Sequence, residues 1–346
     1  LVTDLADTAI DPVLAQVDAL VAQGRNREAI DVLSAALRTR RSPELARRAV
    51  QLRHRSFVRP ATAAPFTPPT ARPLPEPGTL PSIHAGELDA SRLREGLATH
   101  GCLLVRNLIT PDRAAGLARG VDRALAGFDA AKATDADDAP DELAGWYSQF
   151  TPDPGQYRVG GRRNWVRATG AMWTADSPFM LAALIELIDE TGVGAVVTEY
   201  LGERPALSAN KCTLRRVPLT TNVGWHQDGA FLGEHTRTVN LWLALGHCGR
   251  TAPGMDIVPR RVDHVIGTGT GDAIFDWSVG TETVREQAGE AGVVRPEFGP
   301  GDALLFDHLF LHSTCVEPTM TSERHAMETW FFAPSAYPEG QIPLLY

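Results

Sequence analysis

His226, Asp228 and His312 are the residues of this chain whose types and spacing can do metal chemistry. His226-Gln227-Asp228 is a His-x-Asp, and no other histidine is followed two residues later by an acid. On an extended segment both side chains fall on one face, because strand side chains alternate with period two. A second histidine from a distant strand completes a facial set of two imidazoles and one carboxylate. Such a set holds Fe(II) and leaves positions open for substrate and O2. Two residues compete for that place: His312 and His308 follow the same Gly301-Asp302 turn and apolar run, and they share strand parity. Arg324 heads a later segment in which Ala326, Glu328 and Trp330 recur at period two. An arginine facing a barrel interior is costly to bury unless it meets an anion. Its planar fork suits a carboxylate bidentately, so a dicarboxylate co-substrate fits there.

These residues need a scaffold, and 346 residues with 43% hydrophobic and 22% charged content can build one large domain plus an appendage. The net charge of -9 argues against nucleic acid as an obligate partner. Cys102, Cys212, Cys248 and Cys315 include no C-x-x-C pair, so reduced thiols and a cytoplasmic setting are expected. No apolar run approaches the length of a membrane span, and Leu1-Val2-Thr3-Asp4 lacks the pattern of a signal peptide.

Asp11-Pro12, Asn26 and Ser42-Pro43 mark helix starts. Residues 1–58 are therefore expected to form a helical appendage. Its Gly24, Ala29 and Leu37 pattern resembles a tetratricopeptide hairpin of about one and a half repeats, short of the roughly three an array needs. It is expected to dock on the main domain or a second subunit; a homo-oligomer or a partner protein held through these helices stays open. Eight prolines between Pro60 and Pro81 predict an extended linker over 59–81, leaving 82–346 as the main domain. Within it, 90–99, 111–125 and 178–187 read as helices, 129–142 as a mobile loop, and 102–105 as a buried strand. From about residue 206 short apolar runs recur between Gly and Pro, at 207–216, 238–245, 255–258, 292–298, 302–306 and 324–333. That spacing predicts a β barrel or sandwich, and an α+β chain overall. Phe231, Phe275 and Trp277 could give an apolar wall but are expected to be ordinary core; Arg158, Arg162, Arg163 and Arg167 could clamp an anionic substrate but are expected to be a solvated face or to pair with the acidic 129–142 segment.

Taken together, Trp225-His226-Gln227-Asp228-Gly229, the run Val239 to Leu245, and Gly301-Asp302 through His312-Ser313-Thr314 to Arg324 resemble the phytanoyl-CoA dioxygenase family. The resemblance runs over about residues 90–335. It implies a double-stranded β-helix (jelly-roll, cupin-like) core with helices outside, and an Fe(II)- and 2-oxoglutarate-dependent oxygenase that uses O2 on a small-molecule substrate. It assigns iron to His226, Asp228 and His312, the far carboxylate of 2-oxoglutarate to Arg324, and positions beside 2-oxoglutarate to Trp242 and Thr314. A carboxylate at 228 argues against halogenation, since related halogenases carry a small residue there. The chain departs from the family where Pro253-Gly254-Met255-Asp256 replaces its usual Pro-Gly-Ser-His turn, with His264 displaced. Two other classes stay open at this level: a non-catalytic jelly-roll scaffold, and a zinc or other divalent-metal hydrolase or isomerase on the same barrel.

Overall fold

The computed structural model describes residues 11–62, 66–74, 80–153, 157, 162–220 and 223–346. Its helices are α1 (Pro12–Ala22), α2 (Asn26–Thr39), α3 (Pro43–Arg55), α4 (Ala90–His100), α5 (Pro111–Ala133), α6 (Arg162–Ala168), α7 (Pro178–Glu190), α8 (Val193–Leu201), α9 (Gly229–Leu232) and α10 (Thr281–Ala288). Its strands are β1 (Ser82–His84), β2 (Cys102–Arg106), β3 (Ala171–Trp173), β4 (Ala206–Ser208), β5 (Thr213–Val217), β6 (Val223–His226), β7 (Thr238–Ala244), β8 (Gly254–Ile257), β9 (Ala303–Phe306), β10 (His312–Cys315), β11 (Arg324–Phe332) and β12 (Pro343–Leu345). Local chemistry sets the starts of α1, α3 and α5. Asp11, Ser42 and Thr110 each accept a first-turn N–H, and a proline follows each in the first helical position.

The nine-stranded sheet runs β1-β2-β9-β7-β11-β4-β12, with β5 also paired to β11 and carrying β3. A three-stranded sheet, β6-β10-β8, lies against it. The pairings are antiparallel apart from β1 with β2. Ring contacts such as Phe306–His312, with centroids 5.0 Å apart, join the two sheets. This is the jelly-roll core, with helices outside. The β9 entry depends on Gly301-Asp302. Gly301 has φ +94, and a Cβ there would stand 2.1 Å from the Ile109 carbonyl oxygen. Asp302 accepts from the backbone N–H groups of Asn107 and Gly299 and from Arg106.

Helices α1–α3 share an apolar cluster built on Val17, Ile30, Leu33, Leu45 and Leu52 that reaches Leu345 of β12. Buried Arg53 donates to the Leu345 carbonyl at 2.7 Å and to Ser34 Oγ at 2.9 Å, and His54 Nδ1 donates to the Pro343 carbonyl at 2.9 Å. The helices thus lie against the chain's own last strand and α7. The proline-rich segment also lies on the core: the Phe66 ring covers Gly202, and Arg72 N–H donates to the Ser91 carbonyl at 3.2 Å. Residues 63–65 and 75–79 of that segment fall outside the described residues.

Three expectations are corrected. The 207–216 run is two strands, because residues 209–212 turn, with Cys212 N–H donating back to the Ser208 carbonyl at 2.9 Å. Residues 292–298 form no strand; they meet β8 through an isolated bridge of Val294 with Ile257, and the β7–β8 connection through one of Phe298 with Cys248. The first residues of the expected 129–142 loop are the last turn of α5, as their alanine content favours. The rest is tied down by Ala139 N–H to the Tyr147 carbonyl and Gln149 N–H to the Asp137 carbonyl. Among the described residues no helix is long and apolar enough to cross a membrane.

Candidate metal centre

The antiparallel register of β6 and β10 sets His226 directly opposite His312. Their ring centroids lie 4.4 Å apart. Asp228 follows two residues after His226, and one ligand atom from each of the three side chains lies within 4.8 Å of the others. Among the described residues no other group of three potential ligands converges this way. Each imidazole is oriented by its own strand. His226 Nδ1 faces the Gly224 carbonyl at 2.9 Å, and His312 Nδ1 faces the Phe310 carbonyl at 3.0 Å. A carbonyl only accepts, so each Nδ1 carries the proton and each Nε2 keeps its lone pair for a ligand.

Charge favours a cation here. Burial, and then the neighbouring His312, push the His226 imidazole down to about 4, so it is neutral and able to ligate at neutral pH. Burial alone would raise the Asp228 carboxyl, but Lys211 and the two imidazoles outweigh it and hold the group well below the ordinary carboxylate range. Lys211 Nζ donates to Asp228 Oδ1 at 2.5 Å. The other oxygen, Oδ2, faces His312 Nε2 at 3.9 Å. The carboxylate is thereby held on one oxygen and presented with the other. Two imidazoles and one carboxylate suit a divalent first-row metal and leave half of an octahedral shell for other ligands.

His308 is not part of this cluster. β9 stops at Phe306, and a turn follows in which Asp307 Oδ1 accepts Leu309 N–H. His308 Nε2 sits on the Glu234 carbonyl at 3.0 Å. The shared parity of 308 and 312 has no meaning across that turn. Gln227 points away from its neighbours and acts as a staple. Its amide nitrogen donates to the Leu309 and His264 carbonyls, and its oxygen accepts Ile266 N–H.

Arg324 is 2% exposed. Its Nη1 donates to the Gly254 carbonyl at 2.7 Å, and among the described residues its Nε has no partner. Burial, and then Arg215, lower its guanidinium to about 10, which leaves it charged at neutral pH. The Trp242 ring lies 5.5 Å from its Cζ, and Trp242 Nε1 is buried without a partner as well. Gly254 pairs with Cys315 in the β8–β10 register, so Arg324 sits at the far end of the strand that begins with His312. Thr314 lies between them and shares strand parity with His312. The sheet therefore sets a ligand cluster and an incompletely partnered cation at opposite ends of β10, a separation of roughly 10 Å.

Lys211 and the Arg215–Glu328 pair, at 2.8 Å, are polar groups of this region that residue spacing did not single out. Arg167 pairs with Asp129 of the acidic segment, as expected, whereas Arg163 binds buried Asp176 instead. Arg158 lies outside the described residues. Phe231 and Phe275 are not core: they are 46% and 40% exposed. A cavity of about 570 Å³ between α2, α3, α5 and α7 shares no lining residue with the ligand cluster.

The profile of the phytanoyl-CoA dioxygenase family matches residues 97–316. No curated protein matches the chain significantly. Among solved structures, the apo form of EctD from S. alaskensis is similar at 17% identity and a TM-score of 0.50, over 78% of this chain and 85% of that one. EctD from S. alaskensis with 2-oxoglutarate and 5-hydroxyectoine is similar at 15% identity and a TM-score of 0.48, over 82% and 88%. AviO1 from Streptomyces viridochromogenes Tue57 is similar at 18% identity and a TM-score of 0.44, over 73% and 98%.

Proposed function

This chain belongs to the phytanoyl-CoA dioxygenase family of Fe(II)- and 2-oxoglutarate-dependent enzymes, and we propose that it hydroxylates an unactivated C–H bond of a small-molecule metabolite. Bound together, Fe(II), 2-oxoglutarate and O2 supply the oxidising chemistry, with succinate and CO2 as co-products. The chain's own residues bind and orient. His226, Asp228 and His312 hold the metal on one face. Arg324 takes the far carboxylate of 2-oxoglutarate, with Trp242 and Thr314 flanking it.

The observation that carries this reading is the pairing of a converged ligand cluster with a buried, charged arginine whose Nε lacks a partner. A buried cation left short of hydrogen bonds is costly, and an incoming carboxylate removes the cost. A scaffold needs neither feature, and a hydrolytic metal site has no use for the arginine.

Anaerobic titration of metal-free protein with Fe(II) and then 2-oxoglutarate tests the reading. A weak visible charge-transfer band is expected on adding 2-oxoglutarate, and its loss in Asp228→Ala. Folded, iron-loaded protein that gives no band would sink the proposal. Succinate released in step with a hydroxylated product then separates hydroxylation from other outcomes at the same centre.

A further inference from the structure

Three aromatic side chains stand beside the ligand cluster. Trp277 meets the His226 ring edge-on at 5.6 Å. Phe275 stacks on Trp277 with centroids 4.8 Å apart and planes 6° from parallel, and Phe231 meets Trp277 at 5.4 Å. Phe231 and Phe275 are exposed and Trp277 is half-buried, and a contiguous apolar patch of this kind beside reactive groups marks a ligand surface. The surface is also built. Ser278 Oγ bonds both the N–H and the carbonyl of Phe275, Val279 N–H donates to the Trp225 carbonyl at 2.7 Å, and Asp272 accepts from Thr281 N–H. The segment lacks helix and strand but is pinned to β6.

Lys211 closes the other side. Its Nζ lies 5.2 Å from the Phe231 ring centroid and 5.6 Å from that of Trp330. It is delivered by the turn between β4 and β5, where Asn210 Oδ1 accepts from Ser208 Oγ and Ile342 N–H. An ammonium has three donors. Among the described residues Asp228 Oδ1 is the one hydrogen-bond acceptor on Lys211, so two donors remain. Arg215, the nearby alternative, is already committed to Glu328 and Thr213.

We propose that this enzyme takes a substrate with a flat aromatic ring and an anionic group, the ring lying on Trp277, Phe275 and Phe231 and the anion on Lys211. The inference rests on the oxygenase reading and names the substrate class of that same site. Lys211 then does two things: it holds Asp228 on one oxygen, and it selects charge in the ligand. The aromatic wall selects shape.

Three acids and amides of similar size serve as probes in the anaerobic Fe(II)–2-oxoglutarate complex, read by Trp fluorescence and by the shift of the visible band. In the native chain 3-phenylpropionate should bind about tenfold tighter than 3-phenylpropanamide, as one charge-assisted hydrogen bond predicts. It should bind about threefold to tenfold tighter than 3-cyclohexylpropionate, as ring stacking predicts. Lys211→Met should erase the acid-over-amide preference, and Lys211→Arg should keep most of it. The Phe275→Ala, Trp277→Ala double variant, read by the visible band, should erase the ring preference and spare the charge preference. If the band forms but acid and amide bind alike, or no probe binds, the substrate class is wrong and the oxygenase reading stands. If no band forms in the native chain, the oxygenase reading has failed first, and this inference falls with it.

Discussion

Two arginines of this protein lie over two buried tryptophans, and only one of them has its anion among the described residues. Arg163 Cζ stands 4.3 Å from the Trp173 ring, and the guanidinium grips Asp176 with two bonds, Nε to Oδ2 at 2.7 Å and Nη2 to Oδ1 at 2.9 Å. Asp176 also accepts Phe150 N–H, so both oxygens of its carboxylate are engaged. Arg324 stands 5.5 Å from Trp242 with a single carbonyl partner, and both its Nε and the Trp242 Nε1 are left over. Trp173 Nε1 is likewise without a partner among the described residues, so the two places differ in the guanidinium: Arg163 has its carboxylate and Arg324 has none. A closed pair is architecture; an open one is a binding site for the missing half.

Breaking the closed pair should have the largest effect. Asp176→Ala leaves the Arg163 charge part-buried without its carboxylate and should destabilise the fold by about 3–5 kcal/mol, since removal of one partner from a buried pair is the costly change. Chemical denaturation measures it. Breaking the open site should behave in the opposite manner. Arg324→Met removes a buried charge that has no carboxylate partner among the described residues, so stability should hold or rise. Affinity for 2-oxoglutarate should fall by about 10- to 100-fold, the worth of one or two charge-assisted bonds. A stability loss as large as that of Asp176→Ala, with 2-oxoglutarate affinity unchanged, would make Arg324 a structural residue and end the comparison.

The same contrast shows what the amino-acid sequence could and could not reveal. His226 and Asp228 were legible because their relation is local: two residues on one extended segment share a face wherever the segment goes. Cap-plus-proline starts were legible for the same reason. His312 was not separable from His308 by spacing, because a turn at Asp307 interrupts the strand and cancels parity. The pairing of His312 with His226 is a register between distant strands, and residue spacing does not fix it. Lys211 was hidden by a second break, the 209–212 turn that splits an apparently continuous strand. Phe231, Phe275 and Trp277 were expected in the core on residue type alone. Phe275 is exposed and Trp277 half-buried because of the path of a segment without helix or strand, and Phe231 is exposed on the short α9, neither of which periodicity can trace. Arg163 and Arg324 were both just arginines until their partners were known.

The smallest effect sharpens the comparison from the side of protons. Asp176 and Arg163 satisfy each other, whereas His226 is a half-buried group whose Nε2 is kept unprotonated for a ligand from outside the chain. Its folded value of about 4 lies below its ordinary 6.5, with burial as the main cause. Between these two values the unfolded chain binds a proton that the folded chain refuses. Metal-free stability should therefore be fully present above pH 6.5 and decline as pH falls toward 4, with a slope of at most about 1.4 kcal/mol per pH unit for this one proton. Divalent metal competes for the same nitrogen, so saturating metal should flatten that decline, and thermal unfolding at stepped pH with and without metal reads both. Replacing the titrating ring, as in His226→Gln, should remove the pH 6.5-to-4 component from the metal-free protein. An acid profile identical in the variant and the native chain would mean that the proton is taken up elsewhere and that the imidazole is not being held neutral for a metal.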